Sequence, residues 1–235
     1  MASLAEPTLE KLYDDLYVLQ HADPGARRAG MTTNSYAVLS NDSAVYIDVG
    51  SKSLRPLVNQ VTEMGYTPAA LLLSHRHVAT SSDTLSMFAR KFGVPVFLHP
   101  VDARNPQAAQ SGIKFVDPIE SDLLRQFDLE ARFFPGHTEG HIVNYWDQHG
   151  GVLFTGDAAM GTTIEQDQNG TEHFVRPPIR MTVNDDALRQ GWATFDEHLN
   201  GVAPYHGTIY LDRAGTLDDL MRPLQCSEPT RAPTG

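Results

Sequence analysis

Cysteine is almost missing from this sequence: Cys226 is the only one in 235 residues. A lone thiol forms no internal disulfide and builds no thiolate metal site, so any metal must be held by imidazoles and carboxylates. Basic residues are also scarce. Lys+Arg is 18 against 29 for Asp+Glu, a formal net charge of −11, and no basic run interrupts the acidic background. Such a surface repels phosphate backbones and argues against nucleic acid as a partner. No apolar stretch approaches the roughly 18 residues of a membrane helix, so no membrane span is expected. The opening stretch, 1–12, carries Glu6, Glu10 and Lys11 rather than a basic start and an apolar run, so no signal peptide is visible. A cytoplasmic protein acting on a small molecule is the expectation, with oligomeric state left open. No Gly-x-Ser-x-Gly elbow, phosphate-binding glycine loop or Rossmann fingerprint is present.

What is present suffices for a sizeable core. Hydrophobic residues make up 41% and charged residues 20%, a globular balance. Residues 16–20, 36–39 and 44–48 read as strands, and Asn41-Asp42 between the last two is hairpin chemistry. Apolar positions Leu54, Leu57, Val58, Val61 and Met64 recur at helical spacing and end at Gly65. Residues 69–73 and 95–98 read as strands flanking a helix over 81–92. Three more strands are expected at 129–134, 141–146 and 151–155, followed by a long loop over 158–178. Helices are expected over 185–199 and 216–224. Two similar halves, each a sheet with covering helices, predict an α/β, four-layer αββα sandwich. One domain over 1–225 and a disordered tail over 226–235 complete the expected organisation.

The ten histidines are unevenly spread. His75 and His77 directly follow the apolar run Leu71-Leu72-Leu73-Ser74. Residues two apart in an extended segment point to one side, so both imidazoles can meet one metal ion. His137 lies in Pro135-Gly136-His137, Asp157 in Thr155-Gly156-Asp157, and His206 in Tyr205-His206-Gly207, the first two after apolar strands. Strand ends that deliver imidazoles and a carboxylate to one edge suit zinc or iron.

In order and spacing these motifs resemble the metallo-β-lactamase superfamily, across about residues 12–224. The family's first motif is His-x-His-x-Asp-His; this chain reads His75-Arg76-His77-Val78-Ala79-Thr80. His137, Asp157 and His206 match the next three ligand positions. Asp48 matches an aspartate that supports the motif from behind, and His141 a histidine that packs beneath the site. The resemblance implies the metallo-β-lactamase fold, close to that of glyoxalase II. It also implies a first metal site made of His75, His77 and His137. Ala79 and Thr80 stand where the family has two ligands, which leaves the second site only Asp157 and His206. One divalent transition metal is therefore expected, zinc first and iron as the alternative. Ala79 and Thr80 are expected to face the emptied, open part of the cavity. Asp83, one helical turn on, could reach toward it, though a charge at a helix start is the plainer reading. Arg27 and Arg28, in a loop edging the site by resemblance, are either an anion-binding pair or simply solvated.

The leading expectation is a metal-dependent hydrolase of an ester, thioester or lactone. Asp157 would position water and His206 would contact substrate. A second is an iron-dependent oxygenase on His75, His137 and Asp157, the arrangement that resemblance to persulfide dioxygenases implies. A third is a non-catalytic descendant that binds a ligand or partner.

Overall fold

The computed structural model describes residues 9–21, 30–80, 82–170 and 172–226. Its strands form two sheets. The larger runs, in spatial order, β1 (Leu9–Tyr13), β2 (Leu16–His21), β3 (Thr33–Ser40), β4 (Ser43–Ile47), β5 (Thr67–Leu72), β6 (Val96–Phe97) and β7 (Phe115–Val116). It is antiparallel up to β4 and parallel from there on. The smaller sheet holds β8 (Leu129–Phe133), β9 (Ile142–Trp146), β10 (Val152–Gly156) and β11 (Gly201–Pro204). Its first three strands are antiparallel and β11 joins parallel to β10. The helices, in chain order, are α1 (Ser51–Glu63), α2 (Ser82–Phe92), α3 (Pro100–Ala103), α4 (Pro106–Ala109), α5 (Asp122–Arg125), α6 (Ile164–Gln168), α7 (Asp185–Ala193) and α8 (Leu217–Gln225).

Three apolar clusters define four layers. In the first, Leu54, Leu57, Val58 and Val61 of α1 and Leu85 and Phe88 of α2 meet Leu19, Ala37, Tyr46 and Leu71 of the larger sheet. The opposite face of that sheet points Leu16, Val18, Val38, Val45, Ile47 and Leu72 at Ile142, Trp146, Val152, Phe154 and Ala203 of the smaller sheet. The far face of the smaller sheet carries Val143, Leu153 and Val202 against Leu188 and Trp192 of α7 and Leu217, Leu220 and Leu224 of α8. Alternation along each strand therefore feeds two cores at once. The architecture is the αββα sandwich the strand and helix order implies. Between β3 and β4, Asn41 takes the left-handed conformation, φ 51°, that a tight hairpin requires.

Some elements differ from expectation. The helix expected over 185–199 stops at Ala193; Thr194 caps it, and its Oγ1 donates to the carbonyls of Gln190 and Gly191 in the last turn. The 158–178 loop is not structureless: it contains α6, and Met160 pairs with Val175 across it. Strand β1 was not legible from its sequence. It is an edge strand, Leu-Glu-Lys-Leu-Tyr, with its charges exposed. Of the expected tail, Cys226 caps α8 and 227–235 lie outside the described residues. Among the described residues no helix is long and apolar enough to cross a membrane.

Candidate metal centre

The site is assembled at one edge, where strands of both sheets end. β4 and β5 run parallel with Ile47 opposite Leu72, so Asp48 arrives beside the segment that follows β5. Asp48 is buried in a left-handed conformation, φ 52°, sparsely populated for a non-glycine residue. Its Oδ1 accepts from the backbone N–H of Ser74 at 2.7 Å. Ser74 Oγ in turn lies 2.9 Å from His75 Nδ1. One ring nitrogen of His75 is thereby engaged and the other, Nε2, is buried with no hydrogen-bond partner.

The remaining groups converge on that nitrogen. His75, His77 and His137 each offer a ring nitrogen, all within 4.8 Å of one another. His77 Nδ1 and His137 Nε2 are only 3.0 Å apart. Asp157 Oδ2 lies 3.5 Å from His75 Nε2, 3.6 Å from His137 Nε2 and 3.9 Å from His206 Nε2, while its Oδ1 is buried without a partner. Asp157 follows β10 directly, and its backbone N–H donates to His141 Nε2 at 3.2 Å. His141 also stacks on His75, centroids 5.3 Å apart, so it sits beneath the site as resemblance implies. His206 follows β11; its Nδ1 is 3.3 Å from Thr33 Oγ1, and a backbone bridge pairs the same two residues.

Desolvation and neighbouring charges shift the titration of these groups. His75 and His141 are pushed well below the ordinary histidine range by desolvation and by neighbouring imidazoles. His77 and His137 are lowered too, chiefly by desolvation, against the opposing pull of Asp157. Neutral imidazole is the form that binds metal. Asp48 moves the other way, up to about 7, because burial outweighs the Ser74 hydrogen bonds and Asp157 adds repulsion. Three converging imidazoles with lowered pKa, an orphaned buried nitrogen and an adjacent carboxylate form a donor set that fits a divalent transition metal.

All five predicted site residues, His75, His77, His137, Asp157 and His206, meet here. Ala79 does not face an open cavity. It is fully buried in the apolar cluster with Val78, Leu85 and Ala108, so the lost ligand position has been absorbed into the core. The side chains of Thr80 and Asp83, and all of Arg27 and Arg28, lie outside the described residues. Asn34 carries no mark in the sequence pattern: its Nδ2 donates to the carbonyls of Pro204 and Gly207 and fixes the His206 turn to β3. Asp102, in the polar stretch after β6, carries none either. A buried asparagine or aspartate inside an otherwise unremarkable segment leaves no periodic mark.

In architecture the chain has the metallo-β-lactamase fold. It superposes on the metallo-β-lactamase from Erythrobacter litoralis with a TM-score of 0.70 at 12% identity, covering 95% of this chain and 96% of that one. The DIM-1 metallo-β-lactamase gives 0.67 at 16% identity, covering 94% and 95%. In sequence, the chain is 29% identical over 140 residues to the probable metallo-hydrolase YqgX of Bacillus subtilis, 53% of this chain and 64% of that protein. It is 29% identical over 131 residues to a hydroxyacylglutathione hydrolase of Chelativorans sp., 53% of this chain and 48% of that protein. The matched stretch thus spans between about half and two thirds of those relatives' length. No protein-family model matches the chain.

Proposed function

We propose that this protein is a metal-dependent hydrolase with one divalent transition metal, zinc in the first instance, cleaving an ester, thioester or lactone bond of a small molecule. The observation that carries it is the convergence of His75, His77 and His137 with Asp157 Oδ2 beside two of them. Relatives named metallo-hydrolase and hydroxyacylglutathione hydrolase support the reaction class. A divalent metal held by the three imidazoles supplies Lewis acidity, polarising an acyl carbonyl and acidifying water. Asp157, anchored through its backbone by His141, has a carboxylate oxygen free of protein hydrogen bonds and can orient water or take its proton. His206, held on one nitrogen by Thr33 and about a fifth exposed, turns its other nitrogen toward the site and can hydrogen-bond the substrate.

The His75, His137 and Asp157 face also supports a second reading, an iron-dependent oxygenase on two imidazoles and a carboxylate. Elemental analysis of protein purified without added metal separates the two, paired with ester, thioester, lactone, β-lactam and persulfide substrates. About one zinc per chain with hydrolysis is the expected result. About one iron with oxygen uptake would replace the hydrolase by the oxygenase. No metal and no turnover would leave a binding protein.

A further inference from the structure

Asp102 lies in α3, contributes no ligand atom and is completely buried. Its carboxylate nevertheless gathers four hydrogen bonds, all from the two segments that carry the three imidazoles. Oδ2 accepts from Arg76 N at 2.8 Å and Thr138 Oγ1 at 2.7 Å. Oδ1 accepts from Gly140 N at 2.9 Å and Arg76 Nη1 at 3.1 Å. Arg76 stands between His75 and His77; Thr138 follows His137; Gly140 precedes His141. Arg76 also pairs with Glu139 across the same gap. The approach is close enough that a Cβ on Gly140 would stand 2.5 Å from Asp102 N, so only glycine fits there.

We infer that Asp102 is the positioning residue that sets how near His77 comes to His137, and so fixes the geometry of the metal site. This rests on the reading that His75, His77 and His137 hold a metal. The chemistry requires a carboxylate. Each oxygen faces one backbone N–H that cannot reverse its polarity, Arg76 N at one and Gly140 N at the other. An amide in either orientation therefore sets its NH2 against a donor and leaves that donor buried and unsatisfied. The carboxylate also neutralises the Arg76 guanidinium, whose side chain is only 12% exposed.

The test measures Zn2+ affinity by competition with a chromophoric chelator, and the visible spectrum after Co2+ loading. The proteins are wild type, Asp102→Asn, Thr138→Val and His77→Ala, with thermal unfolding of each metal-free protein. Asp102→Asn is expected to weaken Zn2+ binding by roughly 10- to 100-fold, the usual effect of losing a group that orients ligands. It is also expected to change the Co2+ spectrum at temperatures where the variant is folded. A purely structural residue would lower the melting temperature and leave the spectrum of the loaded protein unchanged; that result overturns the inference. If Asp102→Asn does not fold, Thr138→Val decides: it removes one of the four bonds at constant volume, and unchanged affinity and spectrum would overturn the inference. Wild type without metal affinity, or His77→Ala binding as tightly as wild type, would instead overturn the metal reading on which it rests.

Discussion

At the scale of single residues, the convergence of the five candidate positions is legible because each follows an apolar run or a glycine turn, and strand ends collect at one edge of such a sandwich. What surrounds them was not legible. Asp102, Asn34 and Thr33 act by hydrogen bonds over long sequence separations, and only the folded chain shows those. Asp157→Asn keeps volume and shape but loses the charge and the basic oxygen. Turnover of whatever ester, thioester or lactone is accepted should fall roughly 10²- to 10⁴-fold with most of the metal retained; steady-state kinetics with metal analysis checks this, and unchanged turnover removes Asp157 from the chemistry. Asp48 offers a test by pH. Its folded-state pKa is raised from 3.8 to about 7, so between those values the folded protein binds more protons than the unfolded chain. The stability it contributes is complete below pH 3.8 and is lost as pH rises toward and through 7. The buried histidines, with lowered pKa, act in the opposite direction, so the difference between wild type and Asp48→Asn isolates the effect. In metal-free protein, denaturant unfolding should show Asp48→Asn gaining on wild type from pH 4 to pH 7.5; parallel curves would contradict the assignment. Ala79→Asp restores the family's residue but places an unpaired carboxylate in an apolar cluster. It should cost several kcal/mol, read by urea unfolding, and should not recruit a second metal.

At the scale of elements, the expected strand at 95–98 and helix over 216–224 appear where the sequence places them, while the helix expected over 185–199 ends early and the short edge strands β1 and β7 leave no periodic mark. Helix α1 follows its apolar stripe, with Leu54, Leu57, Val58 and Val61 all buried. Strand β6 falls within the expected strand at 95–98, whereas β7, also two residues long, is too short for alternation to show and exists because β6, itself paired with β5, offers it a parallel edge. The His206 turn illustrates how loops hold a side chain at the edge of the candidate site. Gly207 N donates to Thr32 O at 3.0 Å, and Gly161 N donates to His206 O at 2.9 Å, so two loops clasp the turn from both sides. Gly207 has φ 92°, and a Cβ there would lie 2.5 Å from Gly161 O. Gly207→Ala therefore strains the backbone and pushes the loops apart. The expected outcome is a protein that still binds a metal through the three other imidazoles but loses the substrate contact proposed for His206. KM should rise several-fold with metal content unchanged. Wild-type kinetics in this variant would show that His206 takes no part.

At the scale of the whole molecule, the site joins the two sheets. His75 and His77 belong to the segment after β5 of the larger sheet. His137 lies between β8 and β9, and Asp157 and His206 follow β10 and β11 of the smaller one. At this edge the sheets are already tied by Ile142 N donating to Ser74 O at 2.9 Å and by Tyr36 Oη donating to Pro204 O at 2.7 Å. A metal held by His75, His77 and His137, as proposed, would add a further tie that the unfolded chain lacks, so its binding free energy would become folding stability. With free metal at about 100 times Kd the gain is about 2.7 kcal/mol, which for a domain of this size raises the melting temperature by roughly 5–10 °C. A chelator should remove that gain at pH 7.5. At pH 5 the gain should shrink, because binding requires neutral imidazoles and protons compete for the same nitrogens. The metal-free protein shifts in the same direction. His75, His77 and His137 have folded-state values below the ordinary 6.5, so the stability they contribute is complete above pH 6.5 and lost as pH falls. Thermal unfolding with and without chelator at both pH values measures these effects. A melting temperature indifferent to chelator at pH 7.5, in protein shown to carry about one metal per chain, would mean that the ion lies outside the three-imidazole cluster.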